Sequence, residues 1–438
     1  MMRRGITVAA IAGVLALTAT ACGGDSGGGG GDSSGKKAAE DPRSVSGSIT
    51  WWDTSNEAEG PTYDKLIAAF QAEYPKIKVN RTSVSFDQAE QKFKTAAQSG
   101  KGAPDVIRTD VGWSAGFANL GYLQPLDGTP ALDGAEDFLP GPLSTAKWNN
   151  ETVGVPQVTD TLALLYNKKV FKDAGIAAPP ATWDEFIAAA KTIKKKTGVT
   201  GTQLNPEGYF SLPFLHGEGA DMLDVDGKKI TVNSAEGVRA METALKLAGS
   251  DVALKPATTD GYVAAQTSFK AGEVAMILNG PWSVSDSYAG KAFKDKDNLG
   301  IANVPGGSAG KAGAPIGGHN YSVYRGSKNK DASYLFVRFM ASKKSQELTA
   351  KEINTLPTRK SAYTAEVTAD PAKKAFQQAL TVARPRPVIP GVGDLFVAFD
   401  QHYVKILRGD VSPKDGLDAL AKEWNSKLLK DYTTTTTG

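Results

Sequence analysis

Five aromatic residues, Trp52, Trp113, Tyr209, Trp282 and Phe396, fall at or just beyond the ends of predicted strands, or in the opening turns of predicted helices. Open α/β folds place their ligand crevices at such points. Asp53, Asp110, Asp160 and Glu207 lie close beside these rings. Singly, each ring reads as core; the repeated pairing of ring and carboxylate reads as a site. Recognition of a pyranose needs both kinds of group. Indole and phenol faces cover its C–H patches at low entropic cost, and carboxylates accept charge-assisted hydrogen bonds from neighbouring hydroxyls. Asn and His add neutral partners. A zwitterion or a phosphate calls for other groups, and Gly306-Gly307 and Gly317-Gly318 lack the spacing or the lysine of a phosphate loop.

Other chemistries find less support. A glycoside hydrolase also flanks acids with tryptophans, but it needs two carboxyl groups held about 5 or about 6.5 to 9.5 Å apart, and nothing around Asp160 and Glu207 fixes such a pair. His216, His319 and His402 are scattered without a zinc-binding spacing, and there is no Gly-x-Ser-x-Gly elbow. Asp224-Val225-Asp226-Gly227 lacks the following acid of a calcium loop and reads as a hairpin turn. No cofactor or metal is expected. Fifty basic residues against 47 acidic ones leave a net charge of +3, which gives no electrostatic case for a nucleic acid partner and suits a ligand close to neutral.

The elements that must position these residues alternate. A strand over 48–52, a helix over 63–74 with Leu66, Ile67, Phe70 and Tyr74 on one face, and a strand over 77–84 open the chain as β-α-β; a helix over 89–98, a strand over 105–107 and a helix from Gly112 continue it. Strands over 152–158 and 162–167 are expected on either side of a turn at Thr159-Asp160-Thr161. Thr182-Trp183-Asp184-Glu185 is a capping box ahead of a helix that buries Trp183, Phe186, Ile187, Ala190 and Ile193, and Asn233 to Glu236 repeats the signal. A buried strand over 274–278 gives way to a helix at Gly280-Pro281, and beyond Asp331 the pattern is mostly helical. With 438 residues, 41% of them hydrophobic, the chain can fill two cores.

The leader carries Arg3 and Arg4 before an apolar run over 6–20 that is too short to span a bilayer, and it ends Ala19-Thr20-Ala21-Cys22. This resembles a bacterial lipobox. The expectation is a signal peptide over 1–21, a lipidated Cys22, and a flexible Gly/Ser tether over 22–48 that reaches about 25 to 30 Å. A secreted chain with a stray cysteine is the alternative, although exported chains mostly use cysteines in pairs. The lipid would be the membrane attachment, on the outer face of the cytoplasmic membrane. Residues 431–438, ending in a threonine run, are expected to be disordered.

Ala103-Pro104-Asp105-Val106-Ile107, Gly121-Tyr122-Leu123, Leu165-Tyr166-Asn167-Lys168 and the stretch from Phe269 to Met276 that leads to Asn279-Gly280-Pro281-Trp282 occur in an order and spacing similar to one family. Over about residues 49–428 the chain resembles the extracellular solute-binding proteins of ABC sugar importers, in particular the maltose and maltodextrin branch. That resemblance implies an α/β fold of the two-lobed periplasmic-binding-protein kind (class II), with the ligand in the cleft and three hinge crossings near 159–162, 302–306 and 356–360. Lobe 1 would comprise 49–158 plus 306–355, and lobe 2 would comprise 163–301 plus 361–430. It implies a monomeric, non-enzymatic carrier of a neutral oligosaccharide, with maltose or maltodextrin first, that closes on its ligand and docks on permease subunits driven by a cytoplasmic ATPase. It also implies site roles: Trp282 and Tyr209 as stacking rings, Glu207 and Asp160 as hydroxyl-binding acids, Asp110 with Trp113 as acid and aromatic, and Phe396 where a tryptophan is common. Asp53, Ser55 and Glu57 would lie in a ligand-facing loop, with Gly318 and His319 in a sugar-contacting glycine segment. A sugar-sensing surface protein or adhesin on the same fold stays open, because fold does not fix function.

Overall fold

The structure is a computed structural model that describes residues 36–310 and 312–435; the leader, Cys22 and the first part of the expected tether lie outside the described residues. The first lobe is built on a six-stranded sheet in the order Leu356–Pro357, Val155–Thr161, Ile316–Val323, Val106–Asp110, Gly47–Asp53, Ile77–Ser83. The 47–53 strand runs parallel to its neighbours on both sides, as β-α-β crossovers require, while 316–323 is antiparallel to both of its own. Side chains alternate across a strand, so adjacent tryptophans go to opposite faces. Trp51 is fully buried and meets Tyr63, Tyr321 and Phe336 edge-on at 5.6 to 5.9 Å. Trp52 meets Phe93 on the other face.

The second lobe holds a five-stranded sheet in the order Ala253–Leu254, Thr200–Gln203, Val274–Asn279, Ala163–Asn167, Leu299–Ala302. The capping box forms at the start of the Trp183–Thr197 helix. Thr182 Oγ1 accepts from the Glu185 N–H at 3.2 Å, and the Glu185 carboxylate accepts from the Ala181 N–H at 2.8 Å. Trp183, Phe186, Ile187, Ala190 and Ile193 are buried in the core of this lobe. At the Ala235–Ala248 helix the cap is Ser234, while Asn233 donates to Asp418.

Four expectations require correction. Thr159, Asp160 and Thr161 are not a turn but the end of the 155–161 strand, because their backbone finds ladder partners on Ile316–Val323 and Leu356–Pro357. Only Leu162 separates that strand from 163–167 in the other sheet. The second change of sheet comes later than 302–306. Gly306 exchanges backbone hydrogen bonds with Ala181 and Trp183, and Ser308 bonds Glu218, so the segment stays with the second lobe until Arg384 brackets Ala314 and Ile316 at 2.8 and 2.7 Å. The tether folds from residue 36: after a short helix, Lys36–Glu40, Val45 is buried, and buried Ala38 donates its N–H to Asp331 at 3.1 Å. The threonine run is not disordered through Thr435. Thr433–Thr434 pairs in parallel with Lys229–Ile230, where β-branched side chains suit a strand. Among the described residues no helix is long and apolar enough to cross a membrane.

Candidate functional site

The ends of three neighbouring strands of the first sheet bring Asp110, Asp160 and His319 together. Asp110 closes the 106–110 strand and caps the Val111–Asn119 helix, its Oδ1 accepting from the Gly112 N–H at 2.7 Å. His319 pairs opposite Asp110, Gly317 opposite Asp160 and Gly318 opposite Thr159. A Cβ at 317 would lie 2.1 Å from Asp160 Oδ1 and 2.9 Å from Tyr209 Oη and would push both side chains aside. Its absence lets a carboxylate of one lobe and a phenol of the other converge on one spot. Gly318 has φ +139°, and a Cβ there would meet the Val158 carbonyl at 2.3 Å.

Arg386 joins this cluster, and sequence reasoning did not select it. Its Nη2 lies 2.9 Å from Asp110 Oδ1, its Nε donates to the Ile316 carbonyl at 3.3 Å, and its guanidinium sits 5.3 Å from the centre of the Tyr209 ring. The stretch Arg384-Pro385-Arg386-Pro387 reads as loop; two prolines around a basic residue are the one hint that a fixed backbone presents this side chain. Asp160 is pushed up to about 7, first by burial and then by Asp110, against the pull of Arg386 and Arg108. His319 is held well below its ordinary range by burial and then by those two arginines, so its imidazole is neutral and offers one donor and one acceptor. Both of its ring nitrogens and Tyr209 Oη are buried without a protein partner. Such groups are costly unless something else satisfies them.

Aromatic rings border these atoms. Phe86 stacks on Trp113 at 4.8 Å and meets His319 edge-on at 6.0 Å, and Tyr209 meets Phe396 at 6.2 Å. Glu207 stands nearby on the second lobe, also pushed up to about 7, by burial first and then by Asp400 and Asp87. Trp282 is half-buried at the end of the 274–279 strand, with its ring folded over Gly280, where a Cβ would lie 2.0 Å from it. Asn56 of the first lobe donates to the Trp282 carbonyl at 3.4 Å, and Lys94 of the first lobe reaches Asp394 of the second at 3.2 Å, so the lobes touch at two points.

The loop after the first strand differs from expectation. Asp53 is buried and ion-paired with Arg81 at 2.8 Å, and it accepts from the Ser55 N–H and hydroxyl at 3.0 and 2.8 Å, so its oxygens hold the loop. Glu57 is exposed. The acid that turns inward is Glu59: it is buried and pushed up to about 7 by burial, against the charge of Arg108, and its Oε1 has no partner. Arg108 is in turn held by Gln157 at 2.8 Å and Thr54 at 3.3 Å. The remaining histidines stay apart from the cluster: His216 is buried in the second lobe, and His402 bonds Glu423 at 3.0 Å. Among the described residues no group of three or more His, Cys, Asp or Glu could hold a metal ion.

Comparison with known proteins agrees with this architecture. Residues 54–347 match the bacterial extracellular solute-binding protein family. The chain superposes with a TM-score of 0.85 on the GacH receptor of Streptomyces glaucescens, solved unliganded and with acarbose; the two are 46% identical, over 89% of this chain and all of that one. Maltose-bound MalE3 of T. maritima gives a TM-score of 0.80 at 26% identity, over 87% of this chain and all of that one. The diacetylchitobiose binding protein DasA of Streptomyces coelicolor is 28% identical over 98% of this chain and 100% of its own length. With a family match over most of its folded length and a two-lobed α/β architecture shared with these receptors, the chain is a member of the bacterial extracellular solute-binding proteins.

Proposed function

We propose that the protein captures a neutral oligosaccharide, an α-glucoside of the maltodextrin or acarbose kind, and delivers it to the permease of an ABC importer by lobe closure. The observation that carries this reading is the set of buried polar atoms without protein partners, Tyr209 Oη and both nitrogens of His319, set among Trp113, Phe86 and Phe396. Donors and acceptors of this kind, beside ring faces, match the hydroxyl rim and C–H faces of a pyranose. Asp110, Asp160, Glu207 and Arg386 are the charged partners, and Trp282 and Tyr209 the stacking rings. Acarbose, maltose and diacetylchitobiose, the ligands of the three relatives, define the range of candidates. A ligand that touches both lobes favours the closed form by its differential affinity for it. Cys22, lipidated, would keep the receptor at the membrane beside its permease.

Calorimetric titration with maltose, maltotriose, acarbose and diacetylchitobiose tests the reading. Saturable one-to-one binding of an α-glucoside, without release of reducing sugar on incubation, is expected. No heat from any of the four overturns the proposal, and reducing sugar accumulating from maltotriose assigns the cleft to a hydrolase instead.

A further inference from the structure

Trp52 has no place in the cleft just described, although it stands at a strand end like the other tryptophans. Its indole emerges on the face opposite Trp51, half-buried, with Phe93 edge-on at 6.5 Å. The open part of the ring lines a cavity of about 610 Å³, whose facing wall is the outer surface of the Phe86–Ser99 helix. Gln88, Gln91, Thr95 and Ser99 form that wall and are exposed. Their spacing of three, four and four residues puts them in one stripe along the helix. The two amides each offer a donor and an acceptor. Thr95 and Ser99 give their hydroxyl protons to the carbonyls of Gln91 and Ala96; Ser99 Oγ also accepts from the Lys101 N–H at 3.3 Å, while Thr95 Oγ1 keeps its acceptor capacity. An indole opposite a row of amides and hydroxyls, with Lys92 and Lys101 also on the lining, repeats on the outside of a single lobe the cleft's pairing of ring and polar partner.

The groove begins one residue along the chain from the cleft. Asp87 lines it, and the same carboxylate lies close enough to Asp260 and Glu207 of the second lobe for their charges to interact. Phe86, next in the chain, stacks on Trp113 inside the cleft. From Asp87 to Ser99 the helix advances about 18 Å, enough for several sugar rings in a row.

We propose that this groove seats the units of a longer saccharide that extend past the clamped portion, with Trp52 as their stacking platform. The inference rests on the oligosaccharide reading above and adds chain length to it. Because the groove is built from one lobe, it is the same whether the lobes are open or closed. Distal units bound there raise affinity without shifting the lobe equilibrium, since a contact equal in both states shifts nothing.

The test is calorimetry with matched short and long saccharides, maltotriose against maltoheptaose and diacetylchitobiose against chitohexaose, on the parent, Trp52→Ala and the surface double variant Gln91→Ala/Thr95→Ala. The parent is expected to bind the long member of one pair about tenfold more tightly, the scale of one stacked aromatic ring. Trp52→Ala should abolish that gain and leave the short member's affinity unchanged, and the double variant should lose part of it. Equal affinity of the parent for short and long members overturns the proposal. So does a long-to-short ratio that survives both sets of substitutions, or a Trp52→Ala loss equal for both lengths. A parent that binds no member of either pair overturns the oligosaccharide reading itself, and the groove's role with it.

Discussion

Asp160→Asn separates what the cleft does for a ligand from what it does for the fold. Asp160 is buried, with its folded-state value at about 7 against about 3.9 in an unfolded chain. Its value is raised on folding, so the stability it contributes is fully present below about 3.9 and is lost as pH rises through about 7. The gap is about three pH decades at about 1.4 kcal/mol each, which sets an upper limit of about 4 kcal/mol for the destabilisation at pH 8. Asparagine keeps the shape, carries no charge, and can still hydrogen-bond. The variant should therefore match the parent at pH 4 and exceed it by about 2 to 4 kcal/mol at pH 8, read from urea midpoints at pH 4, 6 and 8. Its sugar affinity at pH 8 should fall about tenfold or more, because hydrogen bonds to a charged acceptor contribute about 1.5 to 3 kcal/mol. A variant less stable than the parent at pH 8 would refute the reasoning and make this carboxylate a structural partner of Arg386.

Gly317→Ala should cut saccharide affinity at least about tenfold while circular dichroism stays native, because the new Cβ displaces Asp160 and the Tyr209 phenol without touching either core. Unaltered affinity by calorimetry would remove that convergence point from the site. Arg386→Met leaves buried Asp110 without its ion-pair partner and Asp160 without one of the two arginine charges that favour its ionised form, and should cost about 3 to 5 kcal/mol at pH 8. The loss should shrink toward pH 4 as Asp160 takes up its proton, and urea melts that show a pH-independent loss would contradict this sign.

Much of the fold was legible because its signals are local. The box at Thr182 and Glu185, the β-α-β opening and the buried face of Trp183, Phe186 and Ile193 each depend on neighbours a few residues away. What sequence misplaced depends on contacts far along the chain. Thr159 to Thr161 look like a turn, yet they are strand because Gly318 and Leu356 supply ladder partners. The threonine tail looks like low-complexity coil until an edge is offered by Lys229–Ile230. The site divides in the same way. Rings and acids at strand ends could be chosen by position, and the structure brings Asp110, Asp160, Tyr209, His319 and Phe396 into one neighbourhood. Glu59 in place of Glu57 is a matter of which residue the loop turns inward, and Asp53 and Ser55, whose mutual bonds fix that loop, give no sign of it in sequence. Arg386 was hidden because a proline-flanked arginine has no periodic pattern to place it.

The central claim, that the cleft clamps a neutral oligosaccharide between the lobes, is tested most directly by titrating the parent and Trp282→Ala with maltotriose, acarbose and diacetylchitobiose under calorimetry. One-site saturation of the parent by at least one of them, with affinity about tenfold or more weaker in the variant, is the predicted result. An absence of saturable binding in the parent, or equal affinity in the two proteins, would contradict the account.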